Sequence, residues 1–101
     1  MASRRKLHDE LVKALGNNRV YFQPPESVKL KYPCIIYKRA TGFERNADDE
    51  SYLMRIRYTV TLIDPNPDSQ IIDKLRRIHY CSFDRHYVAD NLNHDVFNVY
   101  Y

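Results

Sequence analysis

Residues 51–64, SYLMRIRYTVTLID, set the expected fold because apolar and polar side chains alternate along them. Five apolar residues would share one face of a β-strand, namely Met54, Ile56, Tyr58, Val60 and Leu62. Two arginines and two threonines would share the other face, namely Arg55, Arg57, Thr59 and Thr61. The pattern predicts a long strand with one face in the core and one polar face that carries both arginines.

Two further strands are expected before this one. RVYF (19–22) is a short strand, and CIIYKRA (34–40) starts with an apolar run typical of a strand inside a sheet. Between them, QPPESVKLKYP (23–33) contains two prolines that cannot sit in a central ladder, so it should run along the surface. TGFERNADDE (41–50) is too long for a tight turn and predicts a projecting loop or hairpin around 41–52.

Two helices are expected. In the first, Ser3 is the candidate N-cap and Gly16 the stop, and one apolar stripe is formed by Leu7, Leu11, Val12 and Leu15. The second follows DPNPDS (64–69), with Pro67 in its first turn and Asn66 or Asp64 as cap. Its inward residues would be Ile71, Ile72, Leu75 and Ile78.

The chain should close with a strand in HYCSFDRHYV (79–88), a turn in ADNLNH (89–94) and a final strand in DVFNVYY (95–101). The element order is therefore α-β-β-β-α-β-β. This order predicts an α+β fold in a single small domain, residues 1–101, with a mixed, mostly antiparallel sheet of about five strands backed by two α-helices.

Composition restricts the class of protein without identifying it. The net charge is only +3, but residues 1–45 hold ten Lys and Arg against four acids, and residues 46–101 hold six against nine. Such polarity would help copies of the chain meet head to tail. Cys34 and Cys81 lack metal-ligand spacing and are expected to be buried free thiols. The N-terminus has no signal-peptide pattern, and no run is apolar and long enough to span a membrane, so a cytoplasmic protein is expected.

The last nineteen residues, FDRHYVADNLNHDVFNVYY, are rich in groups that can do chemistry. Asp84, His86, His94 and Asp95 could ligate a metal or transfer protons, but His94 and Asp95 would need a favourable register to face the others. Two nucleophile pairs are also conceivable, Cys81 with His79 and Ser82 with Asp84. Neither lies in a nucleophile elbow, and two glycines cannot build a phosphate-binding loop. We therefore expect no enzyme.

Two non-enzymatic functions remain open at this point. Four arginines could contact nucleic acid if the fold gathers them with nearby tyrosines, namely Arg55, Arg57, Arg76 and Arg77. The interleaved acids and the pI of 8.9 weaken that reading. Alternatively, the polar 43–50 loop, the arginine-bearing strand face and the opposed charges of the two halves are features that help small subunits to assemble.

Three stretches resemble a known family: VYFQPPESVKLKYPCIIY (20–37), YTVTLIDPNPDSQIIDKL (58–75) and FDRHYVADNLNHDVFNVYY (83–101). They are similar to tail terminator or tail completion proteins, also labelled minor capsid proteins, of long-tailed bacteriophages and prophages. The resemblance runs from about Lys6 to Tyr101. It implies a structural virion protein that forms a ring, usually a hexamer, on the head-proximal end of the tail tube, where it stops tube growth and docks to the head.

The resemblance also implies partners and a location. The partners would be other copies of the chain, the tail tube protein and the head connector or stopper protein, and genomic DNA would pass through without sequence-specific binding. No enzymatic activity, cofactor, metal or membrane is implied. The chain would be made and assembled in the bacterial host cytoplasm and end in the virion tail. Residues expected at the subunit or tube contact are Phe43, Glu44, Arg45, Asp48, Asp49, Glu50, Arg55, Arg57, Asp84 and Arg85. A connector or stopper of the same architecture and a small basic nucleic-acid-binding module are the alternatives.

Overall fold

The computed structural model describes residues 4–25, 27–40, 56–78 and 80–101. Within these ranges the chain forms two α-helices and five β-strands in the expected order. The helices are α1 (Arg4–Leu15) and α2 (Ile71–Arg76). The strands are β1 (Val20–Phe22), β2 (Cys34–Arg39), β3 (Arg57–Asp64), β4 (Cys81–Ala89) and β5 (Leu92–Tyr100).

The strands form one sheet in the order β1-β2-β3-β5-β4. β1 pairs with β2 in parallel, and every other pair is antiparallel. The prediction of a mixed, mostly antiparallel five-stranded sheet backed by two helices is therefore confirmed. The apolar strand CIIYKR lies inside the sheet, as expected, between β1 and β3.

The two faces of the sheet differ in what covers them. Val60 in β3 lies between Tyr37 of β2 and Phe97 of β5, and all three side chains are buried on the face that both helices cover. On the opposite face, Thr61 lies between Ile36 and Val96. The alternation in residues 58–62 thus places its apolar set in the core, as predicted.

The core is built mainly from the helix stripe and the alternating strand residues. Leu7 and Leu11 of α1 are fully buried, and Leu75 of α2 is nearly so. Helix α1 ends where Gly16 adopts a φ of +84°, a left-handed conformation that only glycine takes without strain. The backbone amide of Gly16 donates to the Val12 carbonyl at 2.8 Å. Burial of such residues is the main source of stability for a small domain.

The first residues of α1 carry positive charge at the helix N-terminus, which the helix dipole disfavours. Arg4 is compensated by side-chain contacts. Its guanidinium lies 4.4 Å from the centre of the Phe22 ring, and its Nη1 donates to the Tyr37 hydroxyl at 3.1 Å. His8 Nδ1 lies 2.8 Å from the same hydroxyl, so one buried tyrosine ties α1 to the sheet through two side chains.

The start of α2 differs from the prediction. The helix begins at Ile71 with Gln70 as N-cap residue, so Pro67 is not in its first turn. Asp64 Oδ1 instead accepts from the Asn66 amide at 2.8 Å, and Asn66 Oδ1 accepts from the Asp68 amide at 3.0 Å. The two side chains predicted to cap the helix therefore stabilise successive turns of the preceding loop.

The turn between the last two strands is shorter than predicted. Only Asp90 and Asn91 lie outside the ladder, with φ values of 54° and 62°, and Ala89 pairs with Leu92. Two left-handed central residues are typical of a type I′ hairpin turn, whose twist matches that of the strands. The final strand consequently starts at Leu92, and His94 and Asp95 belong to it.

Some predictions concern residues outside the described ranges. These are the Ser3 cap, the projecting loop or hairpin around 41–52, the first part of the long strand (51–55) and the pairing of Cys81 with His79.

Candidate functional site

Of the residues predicted at a subunit or tube contact, three lie in the part of the chain that the structure describes. Arg57 starts β3 opposite Tyr100, on the face away from the helices. Asp84 and Arg85 are exposed in β4. The structure therefore places Arg57 apart from the other two, across the width of β5. The remaining predicted contacts fall outside the described residues, namely Phe43, Glu44, Arg45, Asp48, Asp49, Glu50 and Arg55.

β4 is an edge strand of nine residues, and seven of them are exposed. Its inner side pairs with β5, and no other described strand pairs with its outer side. Three large apolar side chains on it are strongly exposed: Phe83 at 42 %, Tyr87 at 42 % and Val88 at 62 %. Unpaired edge strands with apolar side chains are templates for association, so β4 is the most conspicuous candidate for an interaction surface among the described residues.

A β-bulge interrupts β4 at Asp84. Phe83 pairs with Phe97 and Arg85 with Val96, so Asp84 is an extra residue with no partner on β5. The alternation of faces along β4 is therefore broken at Asp84, and Phe83 and His86 share one face of the sheet. Bulges twist the edge of a sheet and re-aim its side chains.

His86 is the first of the four candidate chemical groups, and its hydrogen bond defines its state. Asn93 Nδ2 donates to the carbonyls of Asp64 at 3.2 Å and Pro65 at 3.1 Å, which fixes the orientation of its amide. Its Oδ1 therefore accepts, and the atom 3.2 Å away, His86 Nε2, must carry the proton that is donated. This bond occupies Nε2 and leaves Nδ1 as the ring nitrogen that could ligate a metal or accept a proton.

His94 lies on the other face of the sheet. His94 pairs with Tyr87 in the ladder and stacks on its ring, with ring centres 4.6 Å apart and planes 15° apart. Its Nδ1 donates to the Leu92 carbonyl at 3.1 Å. His86 instead pairs with Asp95 on the helix-covered face. The structure thus brings His86 and Asp95 together and separates both from His94 and from Asp84 at the bulge.

Asp95 is buried, with 5 % of its surface exposed. Burial raises the pKa of its carboxyl above the usual value of 3.8, while His86 and Arg76 act in the opposite direction and Asp64 adds to the rise. Three other described polar residues are buried, namely Asp64, Ser69 and Asn93. Asp64 pairs with Asn93 in the ladder between β3 and β5. Within the described ranges no group of three His, Cys, Asp or Glu side chains is arranged to hold a metal ion.

The two cysteines are free and unconnected. Cys34 is in β2 and Cys81 in β4, three strand spacings apart, or about 14 Å, well beyond the reach of a disulfide. Burial raises the pKa of each thiol from 9.0 to about 11, and Arg19 for Cys34 and Arg76 for Cys81 only partly oppose this. Such thiols are weak nucleophiles at neutral pH.

The three described arginines among those proposed for nucleic-acid binding do not form one surface. Arg76 and Arg77 are exposed on α2, on the helix side, and the Arg76 guanidinium lies 5.3 Å from the centre of the Phe83 ring. Arg57 is on the opposite face of the sheet, and Arg55 is outside the described residues.

Sequence reasoning missed a groove next to β2, which we call the Ile36 groove. It has a volume of about 560 Å³ and is lined by Gln23, Pro24, Pro25, Val28, Leu30, Ile36, Lys38 and Arg39. The segment predicted to run along the surface forms one wall, with half-buried Val28 and Leu30 alternating with exposed Lys29 and Lys31. That alternation was the signal in the sequence, since it indicates one face packed and one face solvated.

Comparison with known proteins yields no relative: no protein-family model, no curated protein and no solved structure matches this chain. A search of the described residues finds no helix with the length and hydropathy needed to cross a membrane.

Proposed function

We propose that this chain is a structural subunit of the virion of a long-tailed bacteriophage or prophage. Copies of it would form a ring, most simply a hexamer, on the head-proximal end of the tail tube. The ring would end tube polymerisation and present the surface that docks to the head connector, while genomic DNA passes through it. The proposal begins from the sequence resemblance, which covers residues from about Lys6 to Tyr101.

One structural observation supports assembly as the function: the nine-residue edge strand β4 with its three exposed apolar side chains. A monomer that kept this edge in water would risk non-specific aggregation, whereas a ring subunit would pair or cover it. The candidate chemical groups support a structural role as well. His86 and Asn93 connect the hairpin to the loop after β3, and His94 stacks on Tyr87.

Labelling of phage particles tests this proposal. Gold-labelled antibodies against the chain should mark the junction between head and tail in electron micrographs of purified virions. The mass of the purified protein, from light scattering behind a sizing column, should include a species near six times 12.1 kDa with a central hole in negative stain. Labelling elsewhere on the particle, or absence of the protein from virions, would contradict the proposal.

A connector or stopper protein of the same architecture would give the same label position. Partner mapping separates the two, because a terminator binds the isolated tail tube whereas a connector or stopper binds the emptied head. We propose binding to the tube end.

A basic nucleic-acid-binding module is the second candidate, and one observation favours it. The cleft between α1 and α2 is lined by Lys13, Lys74 and Arg77 with a single acid, Glu10. Filter binding over a salt series tests it, since several phosphate contacts give a steep loss of affinity with salt. A Lys74→Glu, Arg77→Glu double variant should abolish such binding, and weak binding with little salt dependence would remove this candidate.

A further inference from the structure

We propose that the hairpin tip of one subunit, Val88–Asn91, inserts into the Ile36 groove of the next subunit. This inference rests on the proposed function, because a ring requires each subunit to present two different, complementary surfaces. It names those surfaces and the chemistry of their contact.

The tip is an apolar and acidic projection held in a fixed orientation. Val88 has 62 % of its surface exposed, more than any other large apolar residue described, and Asp90 is exposed at the turn. Val88 pairs with Asn93, whose side chain is bonded to two carbonyls of the loop after β3. A preordered tip loses little conformational freedom on binding, which favours association.

The groove has the complementary chemistry. Val28, Leu30 and Ile36 are half-buried apolar residues that line it, and Lys38 is an exposed cation among the lining residues. None of the described residues that line it is acidic. Val88 would remove apolar surface from water against these side chains, and the Asp90 carboxylate would approach the Lys38 ammonium, which shares the face of Ile36.

The tip and the groove lie at diagonally opposite corners of the sheet. Arg39 pairs with Tyr58, which pairs with Val99 and through it with Cys81, so the groove is at the strand ends where β4 begins. The tip follows Ala89, where β4 finishes. In addition, β2 and β4 are separated by β3 and β5. The tip of one subunit therefore cannot reach the groove of the same subunit, so this contact joins two copies.

The charge distribution supports the same direction of contact. The groove belongs to residues 1–45, with ten Lys and Arg against four acids, and the tip belongs to residues 46–101, with six against nine. Opposite net charges on two surfaces favour head-to-tail encounters and disfavour contacts between like surfaces.

Site-specific photo-crosslinking tests the contact. Benzoylphenylalanine replaces Val88, whose exposure allows the substitution without disturbing the core, and a control carries it at exposed Asp73 on α2. The protein is irradiated at about 1 mM, where a contact worth about 4 kcal/mol is half formed. We expect covalent dimers whose linked peptides come from residues 20–39. Dimers linked elsewhere, no dimers, or equal yields from the Asp73 control would overturn the proposal.

Charge reversal gives an independent test. Asp90→Lys in the tip and Lys38→Glu in the groove, each made alone, should reduce the crosslinking yield at least tenfold. Mixing the two variants should restore it, because each then meets an opposite charge. If Asp90→Lys fails to fold, Asp90→Asn takes its place in the test, because asparagine tolerates the left-handed conformation of the turn. Asp90→Asn should also lower the crosslinking yield. No restoration on mixing would contradict the contact.

The failures of the two proposals are distinguishable. Labelled rings at the head–tail junction without the tip-to-groove crosslink would retain the function and remove the contact. A crosslink in a protein that is absent from virions would retain the contact and remove the function.

Discussion

His86 lies opposite Asp95 in the β4–β5 ladder, but the hydrogen bond that its ring makes is to Asn93. The side-chain amide of Asn93 in turn donates to the carbonyls of Asp64 and Pro65. His86, one of the groups that looked catalytic in sequence, is thus part of a network that holds the hairpin against the end of β3 and the start of the following loop. This relationship makes the C-terminal stretch a candidate for presenting a surface.

The first prediction separates assembly from catalysis. A His86→Ala, His94→Ala double variant should retain the wild-type capacity to restore normal tails in a phage lacking the protein, because the proposed function requires no chemistry from either imidazole. The measurement is the titre of infectious particles after complementation. A loss of infectivity with an intact fold would favour an enzyme, for example one that hydrolyses phosphoesters.

Asn93 should matter more for stability than His86. Asn93→Ala leaves the carbonyls of Asp64 and Pro65 without the donor that Asn93 supplies and should lower the free energy of unfolding by about 2–3 kcal/mol. His86→Ala removes one bond at an exposed position and should cost about 1 kcal/mol or less. Urea unfolding followed by circular dichroism measures both, and equal losses would show that the network is not organised by Asn93.

Asp95 should make stability depend on pH. Because burial raises the pKa of its carboxyl, the folded state binds this proton more tightly than the unfolded state. The contribution of Asp95 to stability is therefore greatest below its usual pKa of 3.8 and declines as the pH rises through the raised pKa. Asp95→Asn should increase the urea midpoint at neutral pH, and the gain should vanish in acid.

The control for this experiment is Asp73→Asn, at an exposed position on α2. It removes one negative charge without relieving any burial, so its urea midpoint should follow the wild type at every pH. A gain from Asp95→Asn that persists in acid would contradict the assignment of the effect to a buried charge.

The Tyr37 hydroxyl should contribute to the docking of α1. Tyr37→Phe removes the acceptor of the Arg4 bond and the partner of His8 while keeping the ring in the core. We expect a loss of about 1 kcal/mol in the free energy of unfolding. Tyr21→Phe, on the opposite face of the sheet, is the matched control and should have no measurable effect. Equal effects would show that the hydroxyl bonds of Tyr37 contribute nothing.

Both thiols should react slowly in the native protein. With each pKa raised from 9.0 to about 11, the thiolate fraction near pH 8 falls roughly 100-fold. Labelling by a disulfide reagent should be slow in the folded protein, and its rate should increase about tenfold for each pH unit below 10. In denaturant, labelling should be fast and complete for both thiols. Half-buried Cys81 should react before fully buried Cys34, and rapid native labelling of Cys34 would contradict its burial.

Most of the fold could be predicted from periodicity. The alternation at Tyr58, Val60 and Leu62 and the helical stripe at Leu7 and Leu11 each place residues on one face, and the structure buries all five there. The predictions were wrong where short-range hydrogen bonds from side chains determine the backbone conformation. Asp64 and Asn66 resemble helix caps in sequence but cap loop turns instead.

The surfaces were less predictable, because they depend on register. Periodicity does not reveal that Asp84 is a bulge residue, and therefore cannot assign Phe83 and His86 to one face. The length of the last turn had the same effect, since starting β5 at Leu92 brings Asp95 opposite His86. The Ile36 groove depends on how the segment before β2 folds against that strand, and the alternation of Val28 and Leu30 with Lys29 and Lys31 indicates a packed face without showing what it packs on.

Deletion of the gene from a phage or prophage genome tests the central claim most directly. After induction, electron microscopy should reveal tails of uncontrolled length and full heads without tails, because nothing ends the tube or joins it to the head. Supplying the wild-type protein should restore tails of uniform length. Infectious particles with normal tails in the absence of this protein would contradict the account.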